Sequence, residues 1–295
     1  MENNKSHKSI KRKFQVSNGY LLEFDQLARV LYSLLEKKGA KRISRKSLQE
    51  STGLSNRQLE SLISIGVAMG LIQPRAQILT NVGHIIAEHD MFLDMQGSLE
   101  WCHYIGSCSY KNLIWYEIFN DLLRESSAMT QNEWNDSLRQ KLEGQYTKRT
   151  IGKHLYEEVR FVVDAYTEKN FRKLELLHKS YDSKLFLHRH INFDFRVLAA
   201  IIYHYCTAKG DQLLQIHDKE RSPGFPAIVF GLDSSTLQDL VETLHEKGWL
   251  RYETTHNLNQ IRLIQDYSII EFLSAYYQDR EPRKNSGESF GDLFE

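Results

Sequence analysis

Residue types that contact nucleic acid are concentrated between residues 41 and 61. Five basic residues outweigh two acidic ones there, for a formal charge of +3: Lys41, Arg42, Arg45, Lys46 and Arg57 against Glu50 and Glu60. Asn56, Arg57 and Gln58 follow one another, and such side chains can form bidentate hydrogen bonds with adenine or guanine. Arg45 and Lys46 are suited to phosphate oxygens. The segment therefore favours contacts with double-stranded DNA.

The elements that must position these side chains form a helix-turn-helix pattern. Apolar residues at helical spacing predict a first helix that begins near Phe24. Ser44 is a good N-cap for a second helix. After a tight turn, Ser55 and Gln58 form a capping box for a third helix. The polar run at residues 56–58 therefore starts the third helix, the part that usually meets base edges in the major groove.

A short hairpin is predicted behind the third helix. Two apolar pairs bracket a proline-containing turn at residues 73–77, with Arg75 at its tip. Thr80 then caps another helix that runs to about His89. Three helices followed by a hairpin indicate a winged helix-turn-helix at residues 14–90, in which Arg75 would contact a phosphate or the minor groove.

A similar order of elements recurs between residues 191 and 278. The predicted elements are a helix at 195–208, a strand at 213–216, a short helix at 222–231 with Pro223 in its first turn, a helix behind a Ser235–Gln238 capping box, strands at 249–252 and 260–263 around a wing at 254–259, and a last helix at 267–277. The helix behind the capping box is acidic, with Asp239, Glu242 and Glu246 against Lys247. Because phosphate repels such a helix, this second winged helix is expected to pack against protein.

Residues 91–190 are predicted to form a helical central domain. Its start is rich in aromatic side chains, and residues 131–182 fit an amphipathic helix with two breaks. Residues 1–13 have a formal charge of +4 and favour a disordered tail or a nucleic-acid-binding arm. Residues 279–295 favour a second disordered tail, with residues 290–295 as an alternative docking peptide. The predicted fold class is mainly α, with an N-terminal winged helix-turn-helix, a helical centre and a C-terminal winged helix.

Signals for catalysis are weak. His188, His190 and Asp194 are metal-ligand types, but their spacing matches no metal-binding motif. His103 follows Cys102 directly, and adjacent residues on a helix point in different directions, which disfavours a nucleophilic pair. Phosphate-binding glycine motifs and GxSxG are absent from the sequence. We therefore expect no enzyme, metal or cofactor, and keep a metal-dependent enzyme at residues 188–194 as an alternative.

The composition indicates a globular protein of a reducing compartment. The chain has 295 residues, a formal net charge of zero, and three cysteines without a CxxC pair, so a disulfide framework or a structural zinc is not expected. The first 13 residues lack the apolar segment of a secretory signal, and no apolar run is long enough for a bilayer. A cytoplasmic location without membrane contact is expected, and a homo-oligomer is compatible with these features.

From the third helix to the aromatic block, the sequence resembles the bacterial family DUF4007. The resemblance rests on Ile63–Ile72, on Leu79, Thr80, Gly83 and Asp90, on Leu99–Tyr104, and on Trp115, Tyr116, Phe119 and Asn120. It covers about residues 14–180. It implies an accessory protein found near DNA phosphorothioate-modification and phage-defence genes, without a known activity. Trp101, His103, Trp115 and Asn120 match the pattern without an assigned role, and core positions are expected for the two tryptophans.

These observations predict a DNA-binding accessory or regulatory subunit of a bacterial DNA-modification or anti-phage defence system. The side chains at residues 56–58 would meet bases, whereas Arg45, Lys46 and Arg75 would hold phosphates. Its partners would be double-stranded DNA and other defence or modification proteins. The alternative is a protein-interaction scaffold, whose winged helices dock partner subunits without binding nucleic acid.

Overall fold

The computed structural model describes residues 12–125, 128–210, 212–216, 222–254 and 259–284. Over these ranges the chain is mainly helical, with two small antiparallel sheets of three strands each. Most of the two predicted tails, residues 1–11 and 285–295, lies outside the described residues. So do residues 255–258 of the predicted C-terminal wing.

The first part of the chain folds into helices at the predicted positions. They are α1 (Phe24–Leu35), α2 (Arg45–Thr52), α3 (Asn56–Ala68) and α4 (Asn81–His89). The predicted N-caps Ser44, Ser55 and Thr80 are confirmed, since each side chain accepts a backbone N–H from the first turn of its helix. The hairpin is shorter than predicted, because it has a single antiparallel bridge between Ile72 and Leu79.

The middle of the chain combines helices with a small sheet. Its elements are α5 (Gln96–Cys108), α6 (Leu113–Glu117), a π-helical turn (Ile118–Leu122), α7 (Leu123–Glu125), β1 (Met129–Thr130), α8 (Gln131–Leu142), α9 (Lys148–Thr167), a 3-10 helix (Asn170–Leu174), β2 (Leu177–Lys179) and β3 (Lys184–Leu187). The strands are antiparallel in the order β1-β3-β2. The helix predicted as far as residue 182 is therefore wrong beyond the 3-10 helix. Residues 177–179 form β2 instead, because they pair with β3 through an antiparallel ladder that joins Leu177 to Leu187 and Lys179 to Leu185.

The last part of the chain has the predicted order of helix, strand, two helices, hairpin and helix. Its elements are α10 (Phe195–Lys209), β4 (Leu213–Gln215), α11 (Pro226–Val229), α12 (Ser234–Glu246), β5 (Leu250–Glu253), β6 (Gln260–Leu263) and α13 (Ile269–Tyr277). The sheet is antiparallel in the order β4-β6-β5. The strand between the first two helices thus pairs with the second strand of the hairpin.

Two predicted helix starts in this part are wrong. Pro226, and not Pro223, occupies the first turn of α11, where the missing N–H of a proline costs nothing. The predicted capping box at Ser235 is replaced by Asp233, whose carboxylate accepts the N–H of Thr236 at 2.8 Å. Aspartate is as good an N-cap as serine, and α12 therefore begins one residue before Ser235.

One hydrophobic core extends through the three predicted domains. Helix α13 packs against both α10 and α4, and so joins the C-terminal elements to the first helices. The ring of Phe272 lies edge-on to Tyr203, with centroids 5.1 Å apart. The Tyr203 hydroxyl donates to the carbonyl of Trp249 at 2.7 Å and accepts the N–H of Ile264 at 3.0 Å. Buried aromatic packing therefore fixes the sheet against α10 and α13.

Residues at both ends of the described chain contact this core structure. Arg12 forms an ion pair with the buried Glu117, and Lys13 donates to the hydroxyl of Ser64. At the other end, Arg280 pairs with Glu271 at 2.6 Å. These parts of the predicted tails are therefore held by tertiary contacts. Among the helices of the described ranges, none combines the length and the apolar character needed to cross a membrane.

Candidate nucleic-acid interface

The turn between α2 and α3 presents the start of α3 at the surface. Gly53 ends α2 with a φ of +67°, a left-handed conformation that glycine adopts without strain. Ser55 then caps α3, so Asn56 and Arg57 occupy its first turn, and both are exposed. A helix N-terminus carries a partial positive charge, and the Arg57 guanidinium adds to it. This corner of the molecule is therefore suited to an anionic partner.

Gln58 has a structural role at the start of α3. Its Oε1 accepts the N–H of Ser55 at 3.0 Å and the Ser55 hydroxyl at 2.8 Å, which completes the predicted capping box. Its Nε2 donates to the Tyr20 hydroxyl at 3.4 Å and to Oε1 of Gln26 at 3.5 Å. Both ends of the amide are thus engaged within the protein. Asn56 and Arg57 remain the accessible members of the predicted base-contacting run.

Arg45 and Lys46 lie on the exposed face at the start of α2. Nη1 of Arg45 is 3.9 Å from Oε2 of Glu60, and Nζ of Lys46 is 4.0 Å from Oε1 of Glu50. The Lys46 side chain is 86% exposed. Exposed pairs of this kind contribute about 0–1 kcal/mol, so a phosphate would compete readily with either carboxylate.

The hairpin turn lies beside the start of α2. The N–H of Ile43 donates to the carbonyl of Ala76 at 3.0 Å, which ties the segment before α2 to the turn. A groove of about 530 Å³ at this junction is lined by Arg42, Ile43, Ser44, Arg45 and Gln77. The structure therefore brings Arg45 together with Arg42, which the sequence had shown only as part of a basic run. Arg75 is exposed on the same turn but lines a different cavity.

The candidate metal ligands of residues 188–194 contact different partners. His190 is buried, and its Nε2 lies 2.8 Å from Oε1 of the buried Glu100. Asp194 caps α10, whereas the ring of His188 lies 4.8 Å from that of His178. Across the described ranges there is no group of three or more His, Cys, Asp or Glu side chains placed to hold a metal ion. The segment therefore contacts α5 through His190, contacts β2 through His188 and caps α10 through Asp194.

His103 and Trp115 share one buried hydrogen-bond network. Nε2 of His103 donates to the carbonyl of Val229 at 2.9 Å, so its Nδ1 accepts from the Tyr166 hydroxyl. Trp115 donates from Nε1 to the same hydroxyl at 3.0 Å. Burial lowers the pKa of His103 to about 3, and the ring is neutral at physiological pH. Burial also raises the pKa of the Cys102 thiol, which argues against a nucleophilic pair.

Asn120 joins the π-helical turn to the loop before α11. Its Nδ2 donates to the carbonyls of Ser107 and Tyr116, each at 2.9 Å, and its Oδ1 accepts the N–H of Gly224.

Trp101 is 3% exposed, and within the described part of the chain its Nε1 has no hydrogen-bond partner. The expected core position of Trp101 is therefore confirmed.

Two glycines of the family pattern, Gly66 in α3 and Gly83 in α4, allow these helices to approach the hairpin closely. A Cβ on Gly83 would lie 2.0 Å from the carbonyl oxygen of Leu71, and one on Gly66 would lie 2.6 Å from Cδ1 of Ile72. A Cβ on Gly83 would push α4 away from the backbone of the hairpin, whereas one on Gly66 would meet the flexible end of the Ile72 side chain. Gly83 therefore allows α4, and Gly66 allows α3, to approach the hairpin closely.

With this fold and this exposed basic corner in place, comparison with known proteins gives the family. The family model described as "Protein of unknown function (DUF4007)" matches residues 66–277. The chain belongs to this family. The match confirms the resemblance over residues 66–180, begins within α3 and so later than the predicted residue 14, and continues to the end of α13. No curated protein matches the sequence.

Two solved structures are similar to the whole fold. "Magnesium ion-bound SspB crystal structure" is 12% identical, covers 90% of this chain and 88% of its own, and gives a TM-score of 0.72. "SspB crystal structure" is 14% identical, covers 90% and 87%, and gives a TM-score of 0.69. At these identities the likeness shows a shared fold.

Proposed function

We propose that this protein is a DNA-binding accessory or regulatory subunit of a bacterial DNA-modification or anti-phage defence system. In this proposal residues 14–90 form a winged helix that binds double-stranded DNA. The observation that carries it is the exposed pair Asn56 and Arg57 in the first turn of α3. The basic groove of Arg42 and Arg45 is linked to the same helix, since Nη1 of Arg45 lies 3.9 Å from Oε2 of Glu60, about one turn further along α3. Arg57 would meet a base edge or a phosphate, and the groove would hold the phosphate backbone.

The arrangement of α1, α2, α3 and the hairpin supports a winged helix. In the C-terminal part, β4 lies between the first two helices and pairs with β6, the second strand of the hairpin. In the N-terminal part, Ile43 lies between α1 and α2 and donates to Ala76, in the turn that leads into the second half of the hairpin. Both parts thus place a segment between helices one and two against the hairpin, although only the second has full strands.

The C-terminal part is proposed to face protein and not DNA. The exposed surface of α12 carries Asp239, Glu242 and Glu246, and Lys247 follows at its end. Phosphate would be repelled from this helix. The same acidic surface favours the second candidate function, a scaffold that docks other defence or modification proteins. Co-purification with such proteins in the absence of nucleic acid would support the scaffold.

Magnesium is not part of the proposal. The metal is named for one of the similar structures, and the described residues of this chain contain no group of three or more His, Cys, Asp or Glu side chains placed to hold a metal ion.

Binding of the full-length protein to a mixed-sequence DNA duplex, measured by fluorescence anisotropy, tests the proposal. Arg57→Ala is expected to weaken binding by about 1–3 kcal/mol, or about 5-fold to 150-fold, if Arg57 contacts a base. Arg160→Ala is the matched control, because Arg160 is an exposed arginine of α9 that pairs with Asp164 at 3.3 Å. Equal affinity of both variants, or no binding by the wild type at low salt, would overturn the proposal.

A further inference from the structure

A cavity lined in part by Trp101 lies where α5, α10, α13 and the hairpin meet. Its volume is about 640 Å³, which is typical of sites that bury most of a small ligand. Ile105 of α5 forms one apolar wall, and Ile269 and Ile270 of α13 form another. Ile105 and Ile270 are partly exposed, so apolar surface on both walls is accessible from outside. Removal of this surface from water would favour an apolar occupant.

The charge beside these walls is positive. Arg75 of the hairpin turn lines the cavity and is exposed. None of the described lining residues is an aspartate or a glutamate. The carboxylate of Glu271, the residue that follows Ile270, already pairs with Arg280 at 2.6 Å. An occupant with apolar side chains and negative charges would therefore be complementary to the cavity.

The described chain ends beside the wall formed by α13. The N–H of Arg283 donates to Oε1 of Glu271 at 2.7 Å. Nζ of Lys284 lies 3.8 Å from Oδ2 of Asp266. Ile269 is the first residue of α13, so these contacts hold the chain near the start of that helix. The residues that follow, 285–295, can span up to about 36 Å when extended, against about 14 Å for the whole of α13, and are therefore long enough to reach every part of the cavity.

Residues 285–295 carry the apolar and acidic side chains that the cavity would accept. The apolar side chains are Phe290, Leu293 and Phe294, and the acids are Glu288, Asp292 and Glu295. The segment contains no lysine or arginine, so its formal charge is −3. A phenylalanine buries about 150–250 Å² of surface when it is covered, and a cation attracts nearby carboxylates. The segment thus matches both the apolar walls and the charge of the cavity.

We propose that residues 285–295 dock in this cavity of their own chain. The apolar side chains of the segment cover Ile105 and Ile270, and its acids lie near Arg75. Because the segment belongs to the same chain, its effective concentration at the cavity is on the order of 1 mM. A free peptide of the same sequence with a Kd of about 0.1 mM would therefore correspond to about 90% occupancy in the intact chain. The proposal does not rest on duplex binding at Asn56 and Arg57.

Photo-cross-linking of the full-length protein tests where the segment docks. Phe294→p-benzoylphenylalanine places a photoreactive group in the segment, and an equal mixture of isotopically light and heavy protein is illuminated. Mass spectrometry is expected to find cross-links within one chain, to Ile105, Ile270 or neighbouring residues of the cavity. Cross-links between light and heavy chains would indicate a second copy as the occupant and would overturn the proposal. So would cross-links that lie only outside the cavity, or none at all.

A peptide titration measures the strength of docking. The labelled peptide of residues 285–295 is added to the full-length variant Phe290→Ala/Leu293→Ala/Phe294→Ala, whose own segment has lost its apolar side chains. Fluorescence anisotropy is expected to give a Kd of about 0.1 mM. The wild-type protein is expected to bind the peptide about tenfold more weakly, because its own segment competes. Equal binding by the two proteins, or no binding at millimolar concentration, would refute docking within the chain.

Charge reversal tests the role of Arg75. In the triple-alanine protein, Arg75→Glu is expected to weaken peptide binding about tenfold, because an attraction becomes a repulsion. A peptide with Asp292→Lys is expected to bind the Arg75→Glu protein more tightly than the unchanged peptide does. Arg139→Glu is the matched control and should leave the Kd unchanged, because Arg139 is an exposed arginine of α8 that does not line the cavity. Equal effects of the two arginine variants would contradict the proposal, and none of these measurements involves duplex binding.

Discussion

Replacement of Tyr166 by phenylalanine tests whether the network around His103 organises the core. The Tyr166 hydroxyl donates to Nδ1 of His103 and accepts Nε1–H of Trp115. Phenylalanine keeps the ring and its contacts with Phe119 and Phe171. The variant therefore removes one oxygen atom and leaves two buried polar groups without a partner.

The expected loss of stability follows from these two groups. An unsatisfied buried donor or acceptor costs about 1–3 kcal/mol. Removal of the hydroxyl also relieves the cost of its own burial, so we expect Tyr166→Phe to lower the free energy of unfolding by about 2–4 kcal/mol. This is above the typical effect of a single substitution, about 1 kcal/mol.

The assay is equilibrium unfolding in urea, followed by far-UV circular dichroism. The free energy of unfolding falls linearly with urea, so a shift of the midpoint at constant slope reports a change in stability. Tyr156→Phe is the control, because the Tyr156 side chain is 54% exposed and its hydroxyl loss is expected to change stability by less than about 0.5 kcal/mol. A loss below about 1 kcal/mol for Tyr166→Phe would refute the network as a stabilising element.

Three more predictions concern stability. Gly106→Ala should destabilise the protein by about 1–3 kcal/mol, because its Cβ would lie 2.8 Å from the ring of Trp115. Gly152→Ala should stabilise it by about 0.5–1 kcal/mol, because the space around Gly152 in α9 is open. Equal melting temperatures of the two variants would contradict this. The lowered pKa of His103, about 3 against an unfolded value near 6.5, makes the unfolded state bind more protons below pH 6.5. Stability should thus fall by about 2 kcal/mol from this group between pH 6.5 and 5, and His103→Asn should show a shallower slope of stability against pH; an unchanged slope would remove His103 as the cause. Gln58→Ala should cost about 1 kcal/mol of stability, because the capping box is lost, and should change duplex affinity little. A large loss of affinity at unchanged stability would show instead that Gln58 contacts DNA.

Local sequence signals were sufficient for the N-terminal helices. Ser44, Ser55 and Thr80 each precede a helical apolar pattern, and each side chain accepts one of the otherwise unpaired N–H groups at the start of the helix that follows. The start of α12 was harder, because Asp233, Ser234 and Ser235 are consecutive residues that all cap well. Local chemistry alone does not choose among them, and the packing of Leu237 and its neighbours decides the start.

Features that depend on distant residues were not predictable in the same way. β1 has two residues and β2 has three, and β1 pairs with a strand more than fifty residues later, so neither gives a period in the sequence. The cavity of Trp101 joins α5, α10, α13 and the hairpin, which only the tertiary fold brings together. Gln58 was predicted both to cap α3 and to contact DNA; the hydrogen bonds of its amide confirm the cap, and the contact with DNA stays a prediction.

The salt dependence of duplex binding tests the central proposal most directly. Each phosphate contact contributes about 0.9 to the slope of log affinity against log salt concentration. If Arg45 and Lys46 hold phosphates, the double variant Arg45→Ala/Lys46→Ala should bind more weakly, with a slope smaller by about 2 than that of the wild type. The same slope and affinity for both proteins would contradict a DNA interface at α2 and α3.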